Sequence, residues 1–311
     1  HAQGAKSPKD VAQAAGPAVM PIPETAPAGP IAASVIVPVF RQWDMVRDLI
    51  AALGAQQPAL PATVEVILVN NGDAAEASGL TLPEGFRLLH CDRPGSYAAR
   101  NAGAAAASGV LLLFTDADCR PHPQWLATIC SFLHKHPSDL LIGPVNTSAP
   151  ISFLRKLQQL EFVTLVASGA GAAGAGMPVM CNGANLAFTK KAWLESQTDL
   201  HEEQISGDDV FLLLSIKKRR GTIRFLKSEK AMVTTLAAGS LKSFVRQRMR
   251  WTSKAPAYTD FHLILTALAV FGISSSQLIL LFLSFLSAQY FIGFLSVFCI
   301  KLLIDFIFCI K

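Results

Sequence analysis

Residues 110–118 read VLLLFTDAD, an unbroken apolar run that ends in two aspartates one residue apart. A short apolar run bounded by polar residues is typical of a strand buried in a sheet. Asp116 and Asp118 would then stand at the end of that strand, where carboxylate oxygens could hold a hard divalent cation. A second acidic pair, Asp208 and Asp209, follows Gly207 about ninety residues later. The pattern predicts a metal site and, with it, phosphate chemistry.

The chain around this stretch alternates short apolar runs with segments of helical periodicity. We predict strands at Ala33–Val39, Val64–Val69, Phe86–Leu89, Val110–Phe114 and Leu140–Ile142, and helices near Trp43–Leu53, Tyr97–Ala107 and Gln124–His134. Such alternation indicates an α/β fold with a mainly parallel central sheet covered on both faces. Because ligands of these sheets bind at the carboxyl ends of strands, we expect the strand-end residues to converge on one crevice. Those residues are Pro38, Asn70, His90 and Asp116.

The C-terminal part of the chain is too apolar for an ordinary soluble surface. From Phe261 to Ile310 the only formally charged residues are Lys301 and Asp305. A segment of this length can cross a bilayer twice, since each crossing takes about 20 residues. We therefore predict two transmembrane helices, one near Tyr258–Leu286 and one near Tyr290–Ile310. The alternative is a helical hairpin buried in a soluble protein.

A strongly basic stretch lies directly before the first predicted membrane helix. Residues 217–254 carry twelve lysines and arginines against Glu229 alone. The positive-inside tendency places this stretch and its domain on the cytoplasmic side, near anionic lipid headgroups. For Lys217–Arg220 an ordinary solvated face is an alternative. Nucleic acid is not an expected partner, because no zinc-finger spacing, aromatic ladder or basic heptad region accompanies the charges.

Two further segments have weaker signals. Residues 1–30 are rich in Ala, Pro and Gly and lack the charged start and apolar core of a signal peptide, so we predict a flexible lead-in. Gly169–Gly174 matches the spacing G-x-G-x-x-G, but it follows a helical pattern at Ile151–Val166 instead of a strand. We therefore discount a dinucleotide site and expect a loop or a segment in which small residues pack closely.

Seven short motifs follow one another between residues 33 and 254. They are VIVPVF at Val35–Phe40, VNNG at Val69–Gly72, PGSYAARNAG at Pro94–Gly103, FTDAD at Phe114–Asp118, NGAN at Asn182–Asn185, GDD at Gly207–Asp209 and QRMRW at Gln247–Trp251. The ordered set resembles the inverting family 2 glycosyltransferases of the GT-A fold, particularly their membrane-attached bacterial members. No single motif is decisive, but their order is.

The resemblance implies a domain plan and a location. A GT-A catalytic domain would occupy residues 31–239, an interfacial amphipathic helix with the Q-x-x-R-W motif residues 240–257, and two transmembrane helices residues 258–311. The protein would be a multi-pass protein of the bacterial inner membrane with its catalytic domain in the cytoplasm.

The resemblance also assigns a donor site. Asp118 would ligate Mg2+ or Mn2+ bridging the diphosphate of a nucleotide-sugar donor, and Asp116 would contact the ribose or support the metal. A hard cation stabilises the charge that develops on a departing diphosphate. Pro38 and Phe40 would shape the base pocket, and Arg100 would reach the nucleotide or diphosphate. The alternatives are a turn or helix cap for the two aspartates and an ordinary surface helix for Arg100.

Asp209 matches the general base of the family, and Asp208 precedes it. The base would take a proton from the acceptor hydroxyl as that oxygen attacks the anomeric carbon, which inverts the configuration. The two aspartates could also cap the helix predicted at Val210–Lys218, and both roles are compatible. Asn70 departs from the family pattern, which usually has Asp at the position that accepts the base N–H. An amide oxygen can still accept, but the nucleotide becomes less certain.

The Q-x-x-R-W motif implies a site for the acceptor and the diphosphate. We assign Asn182, Gln247, Arg250 and Trp251 to it, with Arg250 pairing the diphosphate and Trp251 stacking on a sugar ring. The alternative for Trp251 is a position among lipid headgroups. The motif occurs in processive synthases and in non-processive members, so it does not establish a polymer product.

These residues lead to one expected function. The protein would transfer a sugar, with a UDP-sugar as the expected donor, to a lipid, lipid-linked or glycan acceptor at the membrane. The alternatives are part of a processive polysaccharide synthase and a catalytically silent membrane subunit that binds sugar nucleotides.

Overall fold

The structure is a computed structural model and describes residues 32–77, 79–148, 152–200 and 207–310. The lead-in predicted for residues 1–30 lies outside the described residues. The described chain is a mixed α/β protein with a mainly parallel central sheet, followed by two long C-terminal helices. This architecture confirms the predicted α/β class and the predicted sheet.

The elements follow each other in a fixed order along the chain. The strands are β1 Ala33–Val39, β2 Val64–Asn70, β3 Phe86–His90, β4 Leu111–Phe114, β5 Arg120–Pro121, β6 Leu140–Ile142, β7 Val145–Ser148, β8 Leu186–Thr189, β9 Ile223–Phe225 and β10 Val233–Leu236. The helices are α1 Trp43–Gly54, α2 Ser96–Ala106, α3 Trp125–Lys135, α4 Phe153–Gly174, α5 Lys190–Ser196, α6 Asp208–Lys218, α7 Leu241–Thr252, α8 Phe261–Leu283 and α9 Ala288–Ile310.

The central sheet has the strand order β3-β2-β1-β4-β8-β6-β9. The pairs β3/β2, β2/β1, β1/β4 and β6/β9 are parallel, whereas β8 runs antiparallel to both β4 and β6. A smaller sheet of order β5-β10-β7 stands beside it. β1 and β4 are apolar and almost fully buried, as expected for strands covered on both faces. Their carboxyl ends therefore present Pro38 and Asp116 on a rigid edge.

Two hydrophobic cores lie on opposite faces of the central sheet. Val35 of β1 packs with Leu49 of α1 and Trp125 of α3 in one core. Ile36, the next residue of β1, packs with Tyr97 of α2 in the other core. This division follows from the alternation of side chains along a strand. The sheet is thus clamped from both sides, which fixes the positions of its strand ends.

The glycine-rich segment after residue 168 is part of a helix. α4 begins after Ser152, whose side chain accepts a hydrogen bond from the Arg155 N–H, and continues to Gly174. A Cβ on Gly169 would lie 2.9 Å from Cγ of Met180, so this glycine allows close packing. Of the two expectations for this segment, the loop is wrong and close packing of a small residue is confirmed at Gly169.

The C-terminal helices α8 and α9 pack against each other as a hairpin. Among the described residues, α8 alone is long and apolar enough to cross a membrane. It has 23 residues and a mean hydropathy of 2.0, and its apolar stretch is not buried inside the structure. The described side chains of α9 form a shorter apolar helix, Ala288–Ile304. A hairpin is present where two membrane helices were predicted, and one of the two helices has the length and composition of a membrane span.

The start of α8 is held against α6 of the α/β unit. Asp260 caps α8 by accepting a hydrogen bond from the Leu263 N–H at 2.9 Å. The same carboxylate accepts a hydrogen bond from Nζ of Lys217, at the end of α6, at 2.8 Å. The rings of Phe211 and Tyr258 lie 5.5 Å apart beside this ion pair. Helix α6 and the segment that leads into α8 are therefore held together at two points.

Candidate functional site

The strand ends open on a cleft of about 910 Å³. Its walls come from the ends of β1 and β4, the turn before β8, the start of α6 and the end of α7. The predicted site residues in its lining are Pro38, Phe40, Arg100, Asp116, Asp118, Asn182, Asp208, Asp209, Gln247, Arg250 and Trp251. The fold thus brings residues from distant parts of the chain into one cavity.

Arg100 of α2 lies at the centre of this cleft and is only 7% exposed. Its Nη2 donates a hydrogen bond to Oδ1 of Asp116 at 2.5 Å, and its Nη1 donates to both carboxylate oxygens of Asp208 at 3.0 and 2.9 Å. Burial alone would lower the pKa of the guanidinium, but the two aspartates raise the pKa well above its ordinary value. Arg100 is therefore no surface-helix residue: it joins the end of β4 to the start of α6.

The N-G-A-N motif is a turn that lies against this guanidinium. A Cβ on Gly183 would come within 2.8 Å of Nη2 of Arg100, so any other residue here would push the guanidinium out of its present position. Asn182 closes the turn, since its Oδ1 accepts a hydrogen bond from the Ala184 N–H at 2.9 Å. Asn185 is buried and donates to the carbonyl oxygens of two separate segments. The motif thus fixes the backbone that faces the acidic residues.

Two carboxylates after β4 form a cluster that could hold a cation. One ligand atom each from Asp116, Asp118 and Cys119 lies within 4.8 Å of the others. Burial, and then the charge of Asp116, raises the pKa of Asp118. A bound cation would relieve both effects. The carboxylate oxygens fit Mg2+ or Mn2+, whereas the Cys119 thiol is a soft ligand that does not suit these ions. Thr235 of β10 orients the cluster by donating to Oδ2 of Asp118 at 3.1 Å.

Asp209 lies in the first turn of α6 and also faces the cleft. Its Oδ2 accepts a hydrogen bond from the Gly183 N–H at 2.9 Å, and its Oδ1 accepts from the Val210 N–H at 2.9 Å. Burial, and then the adjacent Asp208, raises the pKa of Asp209. A carboxylate with a raised pKa is a stronger base. Asp208 and Asp209 do not cap α6, because its N-cap is Gly207 and no side chain forms a cap hydrogen bond; their charges instead lie in its first turn, where the helix dipole favours them. Gly207 precedes the pair with φ of +105°, which favours glycine.

Lys254 is a cleft residue that the sequence analysis did not assign to the site. It follows α7, and a Cβ on Gly207 would lie 2.7 Å from its Cδ. Burial lowers the pKa of Lys254, while Asp209 and its neighbour oppose this change. The ammonium is thus a counter-charge for the buried aspartates. The sequence offered a signal for Lys254, because this residue lies three positions after Trp251 of the Q-x-x-R-W motif. Nothing in the sequence indicated Thr235.

Asn70 is not brought into the cleft lining. The residue is 1% exposed, and its Nδ2 donates to the carbonyl oxygen of Asp73 at 2.9 Å. Its Oδ1 accepts from the Gly72 N–H at 2.9 Å. The amide therefore shapes the turn after β2, and the adjacent Asn71 lines the cleft. His90, at the end of β3, is also outside the lining, so the expected convergence holds for only part of the sheet edge.

Trp251 of the Q-x-x-R-W motif borders the cleft and packs on two neighbours. Its ring centroid lies 6.4 Å from that of Phe162 in α4. The guanidinium of Arg248 lies 4.1 Å from the Trp251 ring and also pairs with Glu161 of α4. These contacts fix α7 against α4. Part of the indole therefore serves packing, and the part that borders the cleft is available to a ligand.

The outer face of α7 is apolar and exposed. Leu241, Val245 and Met249 follow each other at intervals of four residues and are 59%, 46% and 66% exposed. This spacing places them on one face of the helix. The helix begins at Ser240, which forms a capping box with Ser243. α7 is thus an amphipathic helix whose inner side carries the motif residues.

A family model described as Glycosyl transferase family 2 matches residues 34–194, just over half of the chain. The chain belongs to glycosyl transferase family 2. The matched region contains the central sheet except for β9, the paired aspartates after β4 and the N-G-A-N turn. This finding confirms the family that the motifs resemble and classes the chain with glycosyltransferases.

Two curated relatives are similar over part of the chain. Glycosyltransferase AglE of Haloferax volcanii is 32% identical over 38% of this chain and 40% of its own length. Dodecaprenyl-phosphate galacturonate synthase of Rhizobium johnstonii is 30% identical over 40% of this chain and 39% of its own length. The chain thus spans about two fifths of each of these relatives. Among solved structures, S. aureus TarS is 18% identical, with a TM-score of 0.49, over 72% of this chain and 39% of that chain.

Proposed function

We propose that this chain is a membrane-associated inverting glycosyltransferase that moves a sugar from a nucleotide-diphospho-sugar to a lipid or lipid-linked acceptor. The observation that carries the proposal is the junction made by Arg100, which hydrogen-bonds Asp116 on one side and Asp208 on the other. A candidate cation site and a candidate base are thereby joined within one cleft. Membership of family 2 supports the class of reaction.

The donor would occupy the side of the cleft nearest β1 and β4. Pro38 and Phe40 would form the wall for the nucleotide, and Asp118 with Asp116 would hold Mg2+ or Mn2+. When bound, the cation supplies positive charge to the nucleoside diphosphate as it departs. Arg250 lines the same cleft and can pair with a phosphate through two N–H groups. A UDP-sugar is the proposed donor.

The acceptor hydroxyl would stand at Asp209. As its oxygen attacks the anomeric carbon, the bond from that carbon to the diphosphate oxygen breaks, and Asp209 takes the hydroxyl proton. Attack opposite the leaving group inverts the anomeric configuration. The raised pKa of Asp209 makes it a stronger base, and Lys254 favours the ionised form that the reaction needs. Asn182, Gln247 and Trp251 would hold the acceptor.

A membrane location is supported by three independent features. α8 has the length and hydropathy of a membrane span, α7 exposes an apolar stripe, and basic residues lie along α7 and before α8. One relative is named for dodecaprenyl-phosphate, which supports a lipid-linked acceptor. We propose a bacterial inner membrane protein with its catalytic unit in the cytoplasm, anchored by α8 and α9.

The test is nucleoside diphosphate release by the full chain reconstituted in membranes, with a panel of UDP- and GDP-sugars. Mg2+ or Mn2+ is compared with EDTA, and wild type with Asp209→Asn. We expect metal-dependent release that collapses in the variant. Sugar-nucleotide binding without turnover on any donor, in the presence of lipid extracts, would contradict the proposal and favour a silent binding subunit. Long products on a single acceptor would instead identify a processive synthase.

A further inference from the structure

A second, smaller cavity of about 190 Å³ adjoins the cleft. Its walls are mostly apolar and come from β6, α4, β9 and the segment before β8. The side chains that define it are Ile142, Val166, Met180 and Phe225. An apolar cavity that opens toward a polar site differs from ordinary core, because it can accept the apolar part of a ligand held in the polar site.

The two cavities share a border at the candidate base. Asp209, Trp251 and Lys254 line both of them. A group whose hydroxyl stands at Asp209 can therefore extend directly into the smaller cavity. Among the described residues that line the smaller cavity, only Asp209 and Lys254 carry a charge.

Beyond this border the wall is uncharged at neutral pH. Burial, and then the charge of Asp209, raises the pKa of the Tyr258 phenol. The same two causes raise the pKa of the Cys181 thiol well above its ordinary value. Both groups are protonated at neutral pH. A hydroxylated sugar placed here would lose hydrogen bonds to water and find few partners, which is unfavourable. A hydrocarbon group would gain from the same burial.

We propose that the smaller cavity is an apolar acceptor subsite, so that the acceptor is an amphiphile whose reacting hydroxyl lies within a few bonds of a hydrocarbon group. This inference rests on the proposed function, because Asp209 as base sets the position of the hydroxyl. Tyr258, three residues before α8, completes the wall and brings the subsite next to the start of the proposed membrane helix. A lipid is thereby favoured over a glycan chain as acceptor.

The test compares two acceptor probes that differ only in their hydrocarbon, methyl β-glucoside and octyl β-glucoside below its micelle concentration. Each is given to wild type, Val166→Phe and Val163→Phe. Both valines lie on α4, but Val166 lines the cavity while Val163 is 42% exposed on the outer face. In wild type and Val163→Phe we expect KM for the octyl probe to be at least about ten-fold below that for the methyl probe, since several methylenes are buried. In Val166→Phe the ratio should fall to about two-fold, because the added ring fills the space.

A binding measurement separates this inference from the proposed function. The shift in unfolding temperature caused by each probe reports binding without any turnover. A larger shift from the octyl probe that is lost in Val166→Phe, without diphosphate release on any donor, would support the subsite and contradict the glycosyltransferase. Equal shifts and equal KM values for the two probes in an active wild type would overturn the subsite. The subsite would also be overturned if Val166→Phe and Val163→Phe gave the same ratio of KM values for the two probes.

Discussion

Asp208→Asn and Asp209→Asn are isosteric changes at adjacent positions with different surroundings. The side chain of Asp208 is 5% exposed and accepts both of its hydrogen bonds from Nη1 of Arg100. Breaking one partner of a buried ion pair costs about 3–5 kcal/mol. Asparagine still offers one acceptor oxygen, so we expect a loss of about 3 kcal/mol, the lower end of that range. For a domain of this size the loss corresponds to a fall in Tm of roughly 6–12 °C.

Asp209→Asn should behave in the opposite way. Burial and the neighbouring carboxylate disfavour the charge of Asp209. Replacing this carboxylate with a neutral amide therefore removes an unfavourable contribution to the free energy of folding. The asparagine oxygen can still accept the hydrogen bond from the Gly183 N–H. We expect a Tm equal to or slightly above that of wild type. Transfer should fall by about 10²–10⁴-fold, the usual contribution of a general base.

The assay is the unfolding temperature of both variants in one membrane mimetic, followed by tryptophan fluorescence, with diphosphate release measured on the same samples below the transition. Wild type is the reference for both quantities. Our reasoning fails if Asp209→Asn melts as early as Asp208→Asn. It also fails if Asp208→Asn keeps the wild-type Tm, because the pairing with Arg100 would then contribute little.

Three further outcomes follow from the site and the sheet. Lys254→Gln removes a charge that lowers the pKa of Asp209, so the acid limb of the pH–rate profile should move to higher pH; an unmoved limb would contradict the counter-charge role. Thr235→Ala removes a hydrogen bond to Asp118 and should raise the Mn2+ concentration for half-maximal release about ten-fold, as loss of an outer partner usually does. Burial alone would raise the pKa of Glu65, but hydrogen bonds led by those from Ser108 lower it from 4.5 to about 2. The stability from this carboxylate is therefore complete above pH about 4.5 and is lost as pH falls toward about 2. Glu65→Gln should cost about 2 kcal/mol at neutral pH, after allowance for partial exposure, and the gap from wild type in urea unfolding should narrow in acid.

The parallel half of the fold could be predicted because its signals are local. β1 and β2 are runs of seven residues, mostly apolar, and the helix after β1 repeats at helical spacing. β8 and β10 have four residues each and pair with strands far away in the chain. Both contain threonine, unlike the equally short but wholly apolar runs that predict β4 and β6, and the antiparallel direction of β8 depends on the path of the chain between it and its partners. The small second sheet was missed for the same reason.

The site residues also divide into those that a local pattern predicts and those that it does not. The positions of Asp118 and Asp209 beside a cleft follow from motif order and from the end of a strand. The double pairing of Arg100 depends on the approach of α6 to α2, which no local pattern encodes. Asn70 differs from these residues, because its motif position predicts a ligand contact, whereas in the fold its amide closes a turn outside the cleft lining.

The ion pair between Lys217 and Asp260 limits how far the proposed base can lie from the start of α8. α6 rises about 12 Å over the eight residues from Asp209 to Lys217, at about 1.5 Å per residue. With α8 in the bilayer as proposed, the base is held within about that distance of the first turn of the membrane helix. The distance of the reacting hydroxyl from the hydrocarbon of the bilayer would then decide which acceptors can react. Acceptors with long headgroups would overshoot the carboxylate, and those with buried hydroxyls would not reach it.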